Sequence, residues 1–350
     1  MVILNSEKLI KTNHRNTYRG RRKRKSMIRR IASIFLLLAA ILLIIVFAVK
    51  TFTYIFNGNY NLESRISSLV TQDNDSLYAD AFAKNLCVLN TNNNNDIEIS
   101  SESALLCTVG SGQAIYSKNA TEHMNPASTT KIMTALVALK YGNLSDIVTV
   151  TDDAVITEAG ASLCGINPGD QVSLEQLLYG LLLPSGNDAA VAIAVHIAGS
   201  VDKFADMMNN EALTIGATDS HFVNPHGLTD TNHYTSAYDL YLMLNEALKY
   251  PVFRTIAGTA NYNTSYLDMS GNSISKTWRN GNKFLNGDES MPSELKVVAG
   301  KTGTTNAAGN CLVLASADKD YNEYISIILK ADNKVSLYDN MTKILDKILQ

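Results

Sequence analysis

Apolar and polar positions change rhythm along this chain, and each change predicts a different element. From Ile31 to Val49 there are nineteen residues without a charge, IASIFLLLAAILLIIVFAV. As a helix this run spans about 28 Å at roughly 1.5 Å per residue, close to the hydrocarbon thickness of a bilayer. Residues 50–80 are mixed and polar and predict a stalk. The polar run Thr91–Ser103 lacks the apolar content for a core. It predicts a loop between two short strands, Leu86–Leu89 and Ala104–Thr108. Gly110-Ser111-Gly112 then supplies a turn and Gln113–Tyr116 the second arm of a hairpin.

A helical period takes over at Asn125-Pro126 and runs to Tyr141. Asn125 suits the N-cap, Pro126 the first helical position and Gly142 the stop. Ile132, Met133, Leu136, Val137 and Leu139 make this helix mostly buried. Further helices are predicted over Leu174–Leu182, Asp188–Ala198, Val201–Ile215 and Ala237–Leu248. The period then shortens. Leu295–Ala299, Cys311–Ala317 and Tyr324–Leu329 are apolar runs separated by turn residues, an antiparallel meander, and a helix over Ser336–Leu349 follows. Strands at both ends and a helical middle predict an α+β fold whose sheet is assembled from both ends of the chain.

Charge changes the reading of the first apolar run. The net charge of −3 hides an asymmetry: residues 1–30 carry eleven Lys or Arg and one acidic residue, Glu7. The block RRKRKSMIRR, Arg21–Arg30, directly precedes the apolar span. By the positive-inside rule it stays in the cytoplasm and the C-terminal remainder lies outside. A basic block alone could also bind nucleic acid. Beside an apolar span it reads as a topology signal, and no nucleic-acid partner is expected. A cleaved signal peptide needs a shorter apolar core and a small-x-small site. Val49-Lys50-Thr51-Phe52 offers none, so an uncleaved signal anchor is expected. The expected organisation is therefore 1–30 basic cytoplasmic segment, 31–49 transmembrane anchor, 50–80 stalk and 81–350 extracytoplasmic domain.

Hydrophobic residues make up 46% and charged residues 18%, which leaves material for a sizeable core. The cysteines are Cys87, Cys107, Cys164 and Cys311, with no C-x-x-C pair, so neither a metal site nor thioredoxin-like chemistry is expected. An outside location permits disulfides. Cys87 and Cys107 lie on neighbouring apolar stretches and could pair; all four also suit small buried positions.

Three short motifs carry candidate chemistry. In Ser128-Thr129-Thr130-Lys131, positions three apart share a helix face, which brings the Lys amine to the Ser hydroxyl. A serine hydroxyl needs a base to act as nucleophile, and a lysine can serve if burial and a neighbouring positive charge lower its pKa. In the first helical turn the Ser128 N–H lacks an intrahelical partner and can face an oxyanion, unless Asn125 takes it as a cap. Pro184-Ser185-Gly186-Asn187 lies between two helices, where Ser185 and Asn187 can face one cleft or cap the next helix. Gly300-Lys301-Thr302-Gly303-Thr304 follows a strand, and Gly303 lets another backbone approach closely. The phosphate-loop spacing G-x-x-x-x-G-K is absent. Each motif alone also fits an ordinary structural use.

In this order the three are the signature of penicillin-binding proteins and class A β-lactamases. Ser128 and Ser185 are 57 residues apart, Ser185 and Lys301 are 116 apart, and the middle motif reads S-G-N in place of S-D-N. The flanks NPASTTKIMTA from Asn125, LLLPSGNDAA from Leu181, and Asn224-Pro225-His226-Gly227-Leu228 followed by Asn232-His233-Tyr234-Thr235 add to the match. The chain resembles the D-alanyl-D-alanine carboxypeptidases, the low-molecular-mass penicillin-binding proteins of peptidase family S11, over about residues 80–350.

The resemblance implies a serine β-lactamase/DD-peptidase-like fold, an antiparallel sheet flanked by helices plus an all-helical half. It implies Ser128 as nucleophile on the carbonyl between two terminal D-alanines, Lys131 as base and Ser185 as proton relay to the leaving nitrogen. Asn187 would hold Lys131 and the substrate peptide. Lys301 would supply positive field, Thr302 would bind the substrate carboxylate, and the Ser128 and Thr304 N–H groups would form the oxyanion hole. It implies a peptidoglycan stem pentapeptide as substrate, β-lactams as covalent inhibitors and no cofactor. With Lys131 beside Ser128 a histidine base is unnecessary, so His226 is read as part of a loop bordering the site.

Two departures from the family are expected to matter. The chain ends about 50 residues after Lys301, so the β-rich second domain and C-terminal amphipathic anchor of many members do not fit. Some members bind the substrate carboxylate with an arginine just after the last strand. Here Ile328–Lys334 carries none, which leaves Lys330 or Lys334, neither with a bidentate fork. Two other functions remain. A β-lactamase would need a glutamate-held water, for which Glu158 and Glu175 lie in the right interval but outside an E-x-x-L-N context. A wall-binding or β-lactam-sensing module would acylate without turnover.

Overall fold

The computed structural model describes residues 97–109 and 114–350. The basic segment, the apolar span 31–49, the stalk, the strand expected at Leu86–Leu89, Cys87 and the glycine turn at 110–112 lie outside the described residues. Among the described residues no helix is long and apolar enough to cross a membrane.

Strands and helices follow in this order. β1 (Ser103–Thr108) and β2 (Ala114–Lys118) lead to a 3-10 turn (Ala127–Thr130) and α1 (Lys131–Tyr141). Then come β3 (Ile147–Thr149), β4 (Gln171–Ser173), α2 (Leu174–Leu182), α3 (Asn187–Ala198) and α4 (Val201–Ile215). α5 (Ala237–Ala247), α6 (Pro251–Ala257), β5 (Asn261–Leu267), β6 (Ser273–Arg279) and α7 (Lys283–Asn286) follow. β7 (Lys296–Thr305), β8 (Gly309–Ala317), β9 (Glu323–Ala331) and α8 (Lys334–Asp346) complete the series.

The sheet is indeed built from both ends of the chain. Its order is β2-β1-β9-β8-β7, antiparallel throughout, with Leu105 of β1 opposite Ile327 of β9. Alternate residues go to opposite faces. Leu105, Val313, Ala315, Ile325 and Ile327 face one core, shared with α1–α6. Ala104, Leu106, Leu312, Leu314 and Ile328 face a second core, closed by Leu337, Met341, Ile344 and Leu345 of α8. Burial on both faces is why these strands read as unbroken apolar runs. Ile99, inside the polar run expected to stay out of any core, is buried in this second core.

The helical half is not all-helical. It carries a second, four-stranded sheet in the order β3-β4-β5-β6. β3 and β4 are three residues each, and β5 and β6 expose alternate polar residues, so neither length nor hydrophobicity announces them. Tyr262 and Trp278 turn inward from the β5–β6 hairpin, and Tyr262 stacks on Tyr179 of α2 at 3.7 Å.

The start of α1 departs from the expected cap. Asn125 makes no capping bond; Pro126 precedes a 3-10 turn that passes directly into α1. The reason is local: Ala127 has φ +47°, and the Thr129 and Thr130 hydroxyls donate back to Pro126 O (2.7 Å) and Ala127 O (2.8 Å). Ser128 therefore sits on a tightened turn ahead of the helix.

Candidate active site

The three motifs converge. Ser128, Ser185, Thr302, Gly303 and Thr304 line one cavity of about 420 Å³, with Ser162, Arg279–Gly281, Lys283, Lys334 and Tyr338 also on its wall. Lys131, Asn187 and Lys301 lie buried behind it.

Lys131 opens α1, one turn after Ser128, and its Nζ lies 3.0 Å from Ser128 Oγ. It also donates to Asn187 Oδ1 at 2.6 Å and to the His226 carbonyl at 2.8 Å. Complete burial holds this ammonium well below the ordinary lysine range; the nearby Lys301 charge pushes the same way and Asp188 opposes. A neutral amine has two N–H groups and one lone pair. With both N–H groups on carbonyl oxygens, the lone pair is left for Ser128.

Asn187 is the first residue of α3, and its N–H donates to Ser162 O at 2.8 Å. Ser185 has φ +65°, a left-handed conformation uncommon for a residue with a side chain and a mark of a constrained turn. Between them, a Cβ at Gly186 would lie 2.6 Å from Asp188 Oδ1 and 2.8 Å from Gly180 O. That crowding gives a physical reason for S-G-N here. Asp188 is buried and accepts the N–H groups of Cys164 (2.9 Å) and Gly165 (2.8 Å), which ties the Ser162 loop to α3.

Lys301 lies within β7, not after it: the strand runs on through the whole K-T-G triplet to Thr305. Lys301 Nζ donates to Ser185 Oγ at 2.9 Å and to Thr302 O at 2.8 Å. Burial lowers its pKa to about 7. A Cβ at Gly303 would lie 3.0 Å from both Pro126 O and Ser128 N, so the missing side chain lets β7 rest on the Ser128 turn. Thr129 N–H is the first of that turn to bond a carbonyl, Pro126 O at 3.2 Å, and Ser128 N–H stands ahead of it. Thr302 and Thr304 alternate to the cavity side, where Thr304 Oγ1 donates to Asn310 Oδ1 at 3.2 Å.

The His226 ring is a structural group and its carbonyl is the contact to the site. Nδ1 accepts the Leu228 N–H at 3.2 Å, and burial, with Lys131 and His233 behind it, presses the ring pKa to about 3. The two candidate lysines separate. Lys330 pairs with Glu102 at 2.5 Å and is not on the cavity wall, whereas Lys334, at the start of α8, is. Neither Glu158 nor Glu175 lines the cavity, and its wall contains no carboxylate among the described residues. Sequence reasoning missed Ser162, Arg279, Lys283 and Tyr338. The run of Asn and Gly at 280–282 was their only signal.

Comparison with known proteins shows the family and the fold. The D-alanyl-D-alanine carboxypeptidase model of peptidase S11 matches residues 90–333, and the chain belongs to this family. It is 36% identical over 251 residues to the D-alanyl-D-alanine carboxypeptidase DacF of Bacillus subtilis, covering 70% of this chain and 61% of DacF. It is 36% identical over 250 residues to DacC of Escherichia coli, covering 69% and 59%. The chain thus spans about three fifths of these curated relatives. The crystal structure of the Streptomyces K15 DD-transpeptidase is similar with a TM-score of 0.67 and 30% identity, covering 72% of this chain and 97% of that one. Penicillin binding protein 6B from Escherichia coli gives 0.64 and 30%, covering 76% and 82%. The antiparallel sheet flanked by helices is thus a DD-peptidase-like fold.

Proposed function

We propose that this protein is a serine D-alanyl-D-alanine carboxypeptidase that trims the terminal D-alanine from peptidoglycan stem pentapeptides. The observation that carries the reading is the placement of Lys131, with both N–H groups engaged and its lone pair on Ser128 Oγ.

Ser128 Oγ attacks the carbonyl carbon between the two D-alanines as its proton passes to Lys131 Nζ. The oxyanion is met by the N–H groups of Ser128 and Thr304, a placement favoured by the close approach of β7 at Gly303. The C–N bond breaks as the proton taken up by Lys131 passes through Ser185 to the leaving D-alanine nitrogen, while Lys301, 2.9 Å from Ser185 Oγ, supplies positive field. Asn187 holds Lys131 and the substrate peptide. Thr302 takes the terminal carboxylate, and Lys334 supplies the positive charge that an arginine gives in some relatives. Water then releases the shortened peptide from Ser128. β-Lactams acylate the same serine. The apolar span 31–49, behind its basic block, anchors the protein so that residues 81–350 act outside the membrane.

Incubating the protein with a stem pentapeptide and measuring free D-alanine tests the activity. Release that disappears in Ser128→Ala supports it. Penicillin labelling without D-alanine release would turn the reading to an acylating sensor, and rapid penicillin turnover to a β-lactamase. Among the described residues no carboxylate lines the cavity, which does not favour the last.

A further inference from the structure

The two residues between Ser128 and Lys131 are more than spacers. Thr129 and Thr130 are fully buried, and each donates its hydroxyl proton to a carbonyl one turn back. The acceptor of the Thr130 proton is Ala127 O, which belongs to the left-handed residue directly before Ser128. Having spent its one proton, the Thr130 oxygen can only accept from its second partner, His233 Nε2, at 2.8 Å.

His233 is set up to donate there. Its Nδ1 accepts the Val223 N–H at 3.2 Å, which leaves the proton on Nε2. Phe222 packs edge-on to the ring at 5.5 Å, and the residue is buried. Burial keeps the ring neutral, with its pKa lowered to about 4 against the opposing charge of Asp230. The surrounding segment is fastened at two further points, one on the chain entering the Ser128 turn and one on the turn itself. Met124 and Thr235 exchange backbone bonds of 2.7 and 2.9 Å, and a Cβ at Gly227 would fall 1.9 Å from Ala127 O. Ala127 O is thus held by Thr130 from one side and pressed by the Gly227 backbone from the other.

We propose that His233 is a positioning residue for the nucleophile, acting through Thr130 to hold the strained Ala127 peptide and so fix Ser128 against Lys131. His233 is not on the cavity wall and is not a catalytic residue. The inference rests on Ser128 being the nucleophile and assigns a role to a histidine outside the three motifs.

The test is acylation by a fluorescent penicillin, resolved into initial binding and the first-order acylation rate, on protein shown folded by near-ultraviolet circular dichroism. Thr130→Val and His233→Phe should each slow acylation by about 10–100-fold with binding unchanged, the size expected when a reacting group is slightly misplaced. The double variant should be no slower than the worse single one, because both remove one strut. His233→Gln, whose amide nitrogen can replace Nε2, should recover most of the rate. Thr130→Val at the wild-type rate would overturn the proposal. So would losses that follow melting temperature and are not recovered by His233→Gln. If His233→Phe does not fold, Thr130→Val against Thr130→Ser decides it, since serine keeps the hydroxyl. Absence of labelling in the wild type would instead refute Ser128 as nucleophile.

Discussion

Lys131 and Lys301 make an instructive pair. Both are buried in the same active site, and in both desolvation lowers the pKa. Their partners differ. Lys131 is held by two carbonyl oxygens from separate segments, Asn187 of α3 and His226 of the Asn224–Leu228 loop, and its remaining valence faces Ser128. Lys301 touches Ser185 and the carbonyl of its own neighbour in β7. One amine is fixed as an acceptor; the other keeps donor capacity and a pKa near neutrality. Identical side chains therefore divide the chemistry by what surrounds them, and burial alone does not assign a role.

The largest break in this comparison comes from Lys131→Met, which removes the proposed base. Acylation of Ser128 by penicillin should fall by about 10³-fold or more, as for loss of one member of a catalytic unit. A fall of tenfold or less would move the base elsewhere.

The pH profile sharpens the contrast. Lys131 must be neutral to accept a proton, so kcat/KM should rise as pH climbs through its depressed pKa. In the proposed mechanism Lys301 supplies field only when charged, so kcat/KM should decline as pH rises through about 7. Lys301→Arg keeps its charge throughout and should remove the alkaline limb, at the cost of about a tenfold lower plateau from the poorer fit. Persistence of that limb in Lys301→Arg would assign it to another group.

The loop that holds only Lys131 offers a third test. Gly227 has φ +86° and no room for a Cβ. Gly227→Ala should destabilise the fold by about 3 kcal/mol in urea titration, in the range of strained-backbone substitutions. A stability loss below about 0.5 kcal/mol would show that the loop is not pressed on Ala127. The smallest effect is expected outside the pair. Lys334→Ala should raise KM for the pentapeptide by about tenfold or less, the scale of losing one charge-assisted contact. Lys330→Ala, on a residue paired with Glu102, should leave it unchanged.

Much of this was legible in residues. The helices from Leu174 and Val201 and the three late strands appear where their periods predict them, because buried faces demand regular apolar spacing. β3–β6 were not legible, since short strands with polar outer faces resemble loops. Asn125 does not cap the helix because the back-bonding threonines compete with an ordinary helix start. The site motifs stood out as types at fixed separations, but Ser162, Arg279 and Tyr338 carry no local signature.

By itself, then, the sequence determined which side chains are available: a Ser three before a Lys, a Ser two before an Asn, and a Lys-Thr-Gly triplet far downstream. It also placed a basic block before an apolar span. Tertiary structure decided what each lysine is. Only folding brings Asn187, His226 and Lys301 around Lys131 from positions 56, 95 and 170 residues away. The desolvation and opposing charge that set a pKa depend on distance in space, which spacing along the chain does not encode.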